Sequence, residues 1–282
     1  MNKKFTFVGF LVLLLMFTVS SCTKPVGNKG NFTFKQIQVD QQAHLFNNEE
    51  NPACHIQIDF NYPISEKESG LADSLTTFLL ASSLGDKYMN LAPQEAVQHY
   101  VKDYITEYQK DLESMYAEDK ANQEPGTELG AWYSYTRNVK VEFPFYENNL
   151  LSYLISFDEY TGGAHGIYMY EYVNIDLEKR APILLEDLFV GDYTEELTKL
   201  LWEQLMDDEE VNSREELEER GYGSTGDLAP TRNFLLNKEG ITFCYNVYEI
   251  APYSMGAIRI KLPFEKISHL LGSSEIIKDL LK

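Results

Sequence analysis

The chain has 282 residues, 44 of them acidic and 24 basic, for a formal net charge of −20. That sign argues against nucleic acid as a partner, because phosphate binding needs basic counter-charge. A cationic protein, by contrast, is steered in by such a field, which also keeps the chain soluble. The length accommodates one domain or two.

The N-terminus reads as an export signal. Lys3 and Lys4 precede an apolar run, Phe5 to Val19, which is somewhat short for a spanning helix. The run ends in "VSSC", Val19 to Cys22, which resembles a bacterial lipobox. Residues 1–21 are therefore expected to be a lipoprotein signal peptide, with Cys22 lipidated and holding the mature chain on a membrane. Cleavage removes two lysines and no acid, so the mature formal charge is −22. The polar stretch "TKPVGNKGN", Thr23 to Asn31, reads as a tether, and residues 22–33 as lipidated cysteine plus tether. No acidic cluster follows Cys22, which favours the outer membrane, facing the periplasm.

Next, "CHIQIDFNYP" alternates Ile56, Ile58 and Phe60 with Gln57, Asp59 and Asn61, the pattern of a strand with one buried face. Leu71, Leu75, Phe78 and Leu79 recur at helical spacing behind Ser69, a candidate N-cap. Pro93 opens a long helix with a tyrosine-rich apolar stripe running from Val97 to Met115 and suited to packing on a sheet. The Pro-Gly break in Glu118 to Gly130 marks the expected boundary between an N-terminal module, 34–125, and a C-terminal domain, 126–282.

Strands are predicted for Trp132 to Phe143, Leu150 to Phe157 and Ile167 to Ile175. A helix follows from about Asp192, then an acidic surface stretch. The last strands are Asn233 to Leu236, Ile241 to Tyr248 and Gly256 to Lys261. Strand runs broken by amphipathic helices, without steady βαβ alternation, predict an α+β fold with antiparallel sheet packed against helices.

Motifs for chemistry are sparse. No HExxH or CxxC occurs, so no metal ligands and no cofactor are assigned. Cys54 and Cys244 lie in strand-like segments and are expected to be buried free thiols. "GYGSTG", Gly221 to Gly226, satisfies a phosphate-loop pattern, but "DLAPTR" follows it in place of the helix a cradle needs. Asp158, Glu159 and Glu249 are the candidates for glycan hydrolysis, yet adjacent strand residues face opposite ways. No catalytic residue is assigned, and the chain is not expected to be an enzyme. In "EYTGGAHGIY", Gly162 and Gly163 permit positive φ at a bend, and His165 is expected to be held by a buried hydrogen bond. Tyr160, Tyr168, Tyr170 and Tyr172 beside it could stack on sugar rings or anchor a protein.

Three stretches carry a resemblance. "YTGGAHG" (Tyr160 to Gly166), "VNIDLEKRAPILLEDLF" (Val173 to Phe189) and "ITFCYNVYEIAPYSMGAIRIKLPF" (Ile241 to Phe264) resemble, in that order, the RsiV-like ectodomain, with a match spanning Tyr153 to Leu271. Phe34 to Met115 resembles the module that usually precedes it, which is also found in front of the peptidoglycan deacetylase PdaC. In that family the external part of a membrane anti-sigma factor binds lysozyme. The resemblance implies an envelope binding module. The chain carries no recognisable sigma-binding or deacetylase catalytic domain, so neither activity is carried over. The expected function is a lipid-anchored envelope binding protein for a lysozyme-like cationic protein. A peptidoglycan or glycan binder and a glycan hydrolase are the alternatives. The candidate ligand-binding residues are Tyr160, Thr161, Gly162, Gly163, His165, Tyr248, Glu249 and Tyr253.

Overall fold

The computed structural model describes residues 31–282 apart from 125 and 128. The signal segment, Cys22 and residues 23–30 lie outside the described residues. The expected tether ends before residue 33, because Phe32 is already buried against the Tyr146 ring, centroids 5.8 Å apart, and its N–H donates to the Tyr146 hydroxyl at 3.1 Å.

The fold is α+β, built on two sheets. The larger has six strands in sequence order: β1 (Thr33–His44), β2 (Ala53–Ile64), β3 (Tyr135–Glu147), β4 (Leu150–Tyr160), β5 (Ile167–Asp176) and the short β6 (Ala181–Pro182). All neighbours are antiparallel except β2 and β3, which pair in parallel from Cys54↔Tyr135 to Phe60↔Val141. A parallel pair needs a long crossover. Here α1 (Ser69–Leu84) and α2 (Pro93–Ala121) supply it. The boundary expected between 125 and 126 therefore does not separate two sheets, since strands from both sides of it lie side by side.

Ser69 does not cap α1. It is the first helical residue, and the Ser65 hydroxyl accepts the Glu68 N–H at 3.0 Å. As expected, the α2 stripe of Val97, Tyr100, Val101, Tyr104, Tyr108 and Leu112 is buried on the sheet, although Met115 at its end is exposed. Phe78 is likewise exposed on α1. Trp132 does not begin a strand; it sits in a single 3-10 turn, and β3 starts at Tyr135. In β3 the register slips by one between Glu142 and Phe145, where Pro144 cannot donate to the ladder.

The second unit begins with α3 (Leu185–Leu188), α4 (Thr194–Asp208) and α5 (Arg214–Arg220). They pack with a three-stranded antiparallel sheet, β7 (Phe234–Asn237), β8 (Gly240–Tyr245) and β9 (Ile258–Leu262), followed by α6 (Phe264–Ile267) and α7 (Glu275–Leu280). The acidic stretch forms α5, whose N-cap Ser213 accepts from Glu216 N–H and whose C-cap Gly221 is left-handed at φ +109°. That glycine ends a helix and does not begin a phosphate loop. Cys54 and Cys244 are free and buried, and desolvation pushes each thiol up to about 11.

Register fixes the two faces of the large sheet. Ile58, Val39, Val139 and Phe157 point towards the helices. The alternate residues, among them Gln38, Asp40, Gln57, Asp59, Asn138, Lys140, Ser156, Asp158, Tyr168 and Tyr170, point away. At the β4–β5 end the second unit docks on this outward face. Asn174 Nδ2 donates to Phe234 O at 2.7 Å, Leu236 N–H donates to Asn174 Oδ1 at 2.9 Å, and the Ser152 hydroxyl donates to Leu236 O at 3.0 Å.

Candidate ligand-binding site

The helix-free face of the sheet and the flank of the second unit enclose an open cleft of about 920 Å³. Its floor is a lattice of side-chain amides and carboxylates. Asp40 accepts from His55 Nε2 at 2.6 Å and from Gln57 Nε2 at 2.9 Å, and these bonds hold its carboxyl below the usual range. Asp59 accepts from Gln36 Nε2 at 2.6 Å, and Asp158 from Asn138 Nδ2 at 2.9 Å. Lys140 is paired with Glu142 at 2.8 Å. The wall is aromatic: Tyr168 and Tyr170 meet edge to face at 6.0 Å, and the Arg259 guanidinium lies 4.3 Å from the Tyr170 ring centre.

One end of the cleft carries the glycine bend. Gly162 and Gly163 have φ of +81° and +106°, as expected of a left-handed bend. Gly162 is also sterically required, because a Cβ there would lie 2.8 Å from Trp132 O. Tyr160 hydroxyl donates to Gly163 O at 3.0 Å and closes the loop, while Thr161 is exposed.

His165 is not buried. The hairpin tip projects beyond the sheet, and the ring is covered by a tyrosine of the second unit. It stacks on Tyr253 with centroids 4.0 Å apart and planes 23° apart. Its Nδ1 lies 2.8 Å from Gly166 O, which makes Nδ1 the protonated nitrogen, so Nε2 accepts from Tyr248 hydroxyl at 3.3 Å. Tyr253 also contacts Tyr168 at 5.7 Å and Tyr248 at 5.6 Å. Burial, with Tyr168, Asp158 and Tyr248 nearby, pushes its hydroxyl pKa up.

The expected candidate residues thus divide. His165, Tyr248 and Tyr253 converge beside Tyr168 of the cleft wall. Tyr160, Gly162 and Gly163 shape the bend. Glu249 serves the backbone: its Oε2 accepts the Asn246 N–H at 2.8 Å, closing a turn in which Tyr248 sits at φ +69°. Asp158 and Glu159 face opposite ways, as expected. Asp158 lines the cleft, whereas Glu159 accepts from Arg137 Nε at 2.8 Å on the helix side, and Arg137 lies over Tyr104.

In the sequence Gln57 and Asp59 read as the polar side of a strand, and Gln38, Asp40, Asn138, Ser156 and Arg259 carry no motif. The available signal was the polar half of the alternation in "QIQVD" and "HIQID". Among the described residues, no group of three or more His, Cys, Asp or Glu side chains is placed to hold a metal ion. No helix among them is long and apolar enough to cross a membrane.

Fold and cleft together define a two-sheet α+β protein whose two units frame an open polar cleft between them. Residues 186–265 match the model of a protein family of unknown function, DUF3298, and residues 48–168 match the family described as deacetylase PdaC. A crystal structure of a DUF3298 family member from Bacteroides fragilis is 48% identical to this chain, covers 92% of it and 99% of its own length, and superposes with a TM-score of 0.84. The chain belongs to the DUF3298 family. A DUF3298 family protein from Pseudomonas aeruginosa shares the fold at 17% identity and a TM-score of 0.53, covering 85% of this chain and 94% of its own. No curated protein matches the chain. The PdaC match runs through β2, both crossover helices, β3 and β4, across the boundary expected at 125/126.

Proposed function

We propose that this protein is a lipid-anchored envelope protein, held through Cys22 at the outer membrane and facing the periplasm, that binds a glycan along the cleft. The observation that carries the reading is the cleft's composition. A floor of amides and carboxylates with donors and acceptors in alternation suits a polyhydroxylated chain, and tyrosines along one wall offer flat faces for sugar rings. The match to the PdaC family and the RsiV-like resemblance support an envelope setting.

Co-sedimentation with purified peptidoglycan sacculi tests it. The protein is expected in the pellet, and Tyr168→Ala is expected to weaken retention by about tenfold without changing the melting temperature. Protein left in the supernatant at every sacculus concentration would sink the glycan reading. Capture of a basic lysozyme at low salt, lost at high salt and without sacculus binding, would put a cationic-protein partner in its place.

A further inference from the structure

At the glycine-bend end, Tyr168 of the cleft wall leads into an aromatic box that lies beside the cleft lining. Tyr168 and Asp158 are directly paired across β4 and β5, and both line the cleft. Tyr168 touches Tyr253, which touches Tyr248. Tyr248 is half exposed and sits at φ +69°, a left-handed conformation costly for an aromatic residue.

The charges facing the box leave Asp158 without a cation. Its bonded partner is the neutral Asn138 amide. Lys140, from β3, is committed to Glu142. Arg259, from β9, lies over the Tyr170 ring, and Tyr172 nearby supports its charge. His165 engages Gly166 O and the Tyr248 hydroxyl. Among the described residues, no Lys, Arg or His reaches the Asp158 carboxylate within 4.0 Å.

Asp158 lies opposite Tyr168 and near Tyr253, and Tyr248 meets Tyr253 from the second unit. A carboxylate beside tyrosine rings recognises a positive charge with polar hydrogens, because a ring face left open attracts the cation and the carboxylate accepts its protons. We infer that Asp158, Tyr168, Tyr248 and Tyr253 form a subsite for a primary ammonium group carried by the glycan, that is, for an amino sugar with a free amine rather than an acetylated one. The inference rests on the glycan reading of the cleft and adds a charge preference at one end of it.

The test compares calorimetric binding of two short oligosaccharides, one of glucosamine and one of N-acetylglucosamine, at a pH where the free amines are charged. The glucosamine oligomer is expected to bind about tenfold tighter, the scale of one solvent-exposed cation–π contact plus a solvent-screened charge-assisted hydrogen bond. Asp158→Asn and, separately, Tyr253→Leu are expected to bring the two affinities within about twofold of each other while far-ultraviolet dichroism stays unchanged. Equal affinities in the unaltered protein, or a preference for the acetylated oligomer, overturn the ammonium subsite and leave the glycan reading standing if sacculi still pellet the protein. Binding of neither oligomer overturns the subsite, and failure of the sacculus assay as well removes the glycan reading. A lysine-rich peptide binding more tightly than the glucosamine oligomer assigns the box to a protein side chain and also overturns the proposal.

Discussion

At the scale of single residues, the glycine bend shows two glycines used differently. Both have positive φ, so each would cost a side chain backbone strain. Gly162 is also pressed against Trp132, whereas a Cβ at Gly163 would meet nothing within 4 Å. Gly163→Ala is therefore expected to lower stability by about 1 kcal/mol, and Gly162→Ala by about 2 kcal/mol or more, as read from urea denaturation midpoints. Equal losses would show that Trp132 yields without cost. The positive φ was legible from the paired glycines. The Trp132 contact was not, because it joins positions 30 apart through packing that no local pattern encodes. For the same reason His165 reads as a buried residue in sequence and stands exposed in the fold: the tyrosine that covers it comes from position 253.

At the scale of elements, the candidate site depends on how β5 is edged. Below its short pairing with β6, the outer edge of β5 is met by two asparagine side chains in place of a strand. Asn246 Oδ1 accepts Tyr170 N–H at 2.7 Å and its Nδ2 donates to Tyr170 O at 3.1 Å. Asn233 Oδ1 accepts Tyr172 N–H at 2.8 Å, and its Nδ2 donates to the same Tyr170 O at 2.8 Å. These amides satisfy groups that would otherwise template a foreign strand, and Asn246 also pins the turn that presents Tyr248. Asn246→Ala is expected to cost about 1–3 kcal/mol by leaving β5 backbone groups unpaired. It should also weaken glycan binding more than Gln57→Ala does, because it frees Tyr248 and Tyr253 together. Denaturation and co-sedimentation of the two variants check this, and an Asn246→Ala protein with unaltered binding would show that the box holds without its pin. The helices and most strands were legible from apolar periodicity. The strand β1 was not marked, because buried Gln36 and exposed glutamines blur its alternation. The parallel join of β2 to β3 was invisible because strand pairing across a long crossover leaves no local trace.

At the scale of the whole molecule, topology sets where the cleft points. The described chain enters at the Thr33 end of β1, beside Ile64, Tyr146 and the Asn148–Asn149 turn. The hairpin tip with His165 lies at the other end of the same sheet, near Thr136 and beyond Tyr160. The 12 residues of β1 span about 40 Å at some 3.3 Å each. With the chain anchored at Cys22 as proposed and the sheet standing upright on its tether, the aromatic box stands off from the entry end by about that span. Such an arrangement suits a ligand in the surrounding mesh rather than a lipid headgroup. It is testable by attaching a fluorophore to Asn149→Cys or to Thr161→Cys in lipidated protein on vesicles carrying a headgroup acceptor dye. The native thiols do not compete, since Cys54 and Cys244 are buried and their ionisation is pushed up to about 11. Transfer to the acceptor is expected to be strong from position 149 and weak from position 161. Equal transfer from both would mean that the chain lies along the membrane, and stronger transfer from 161 would mean that the cleft faces the lipid.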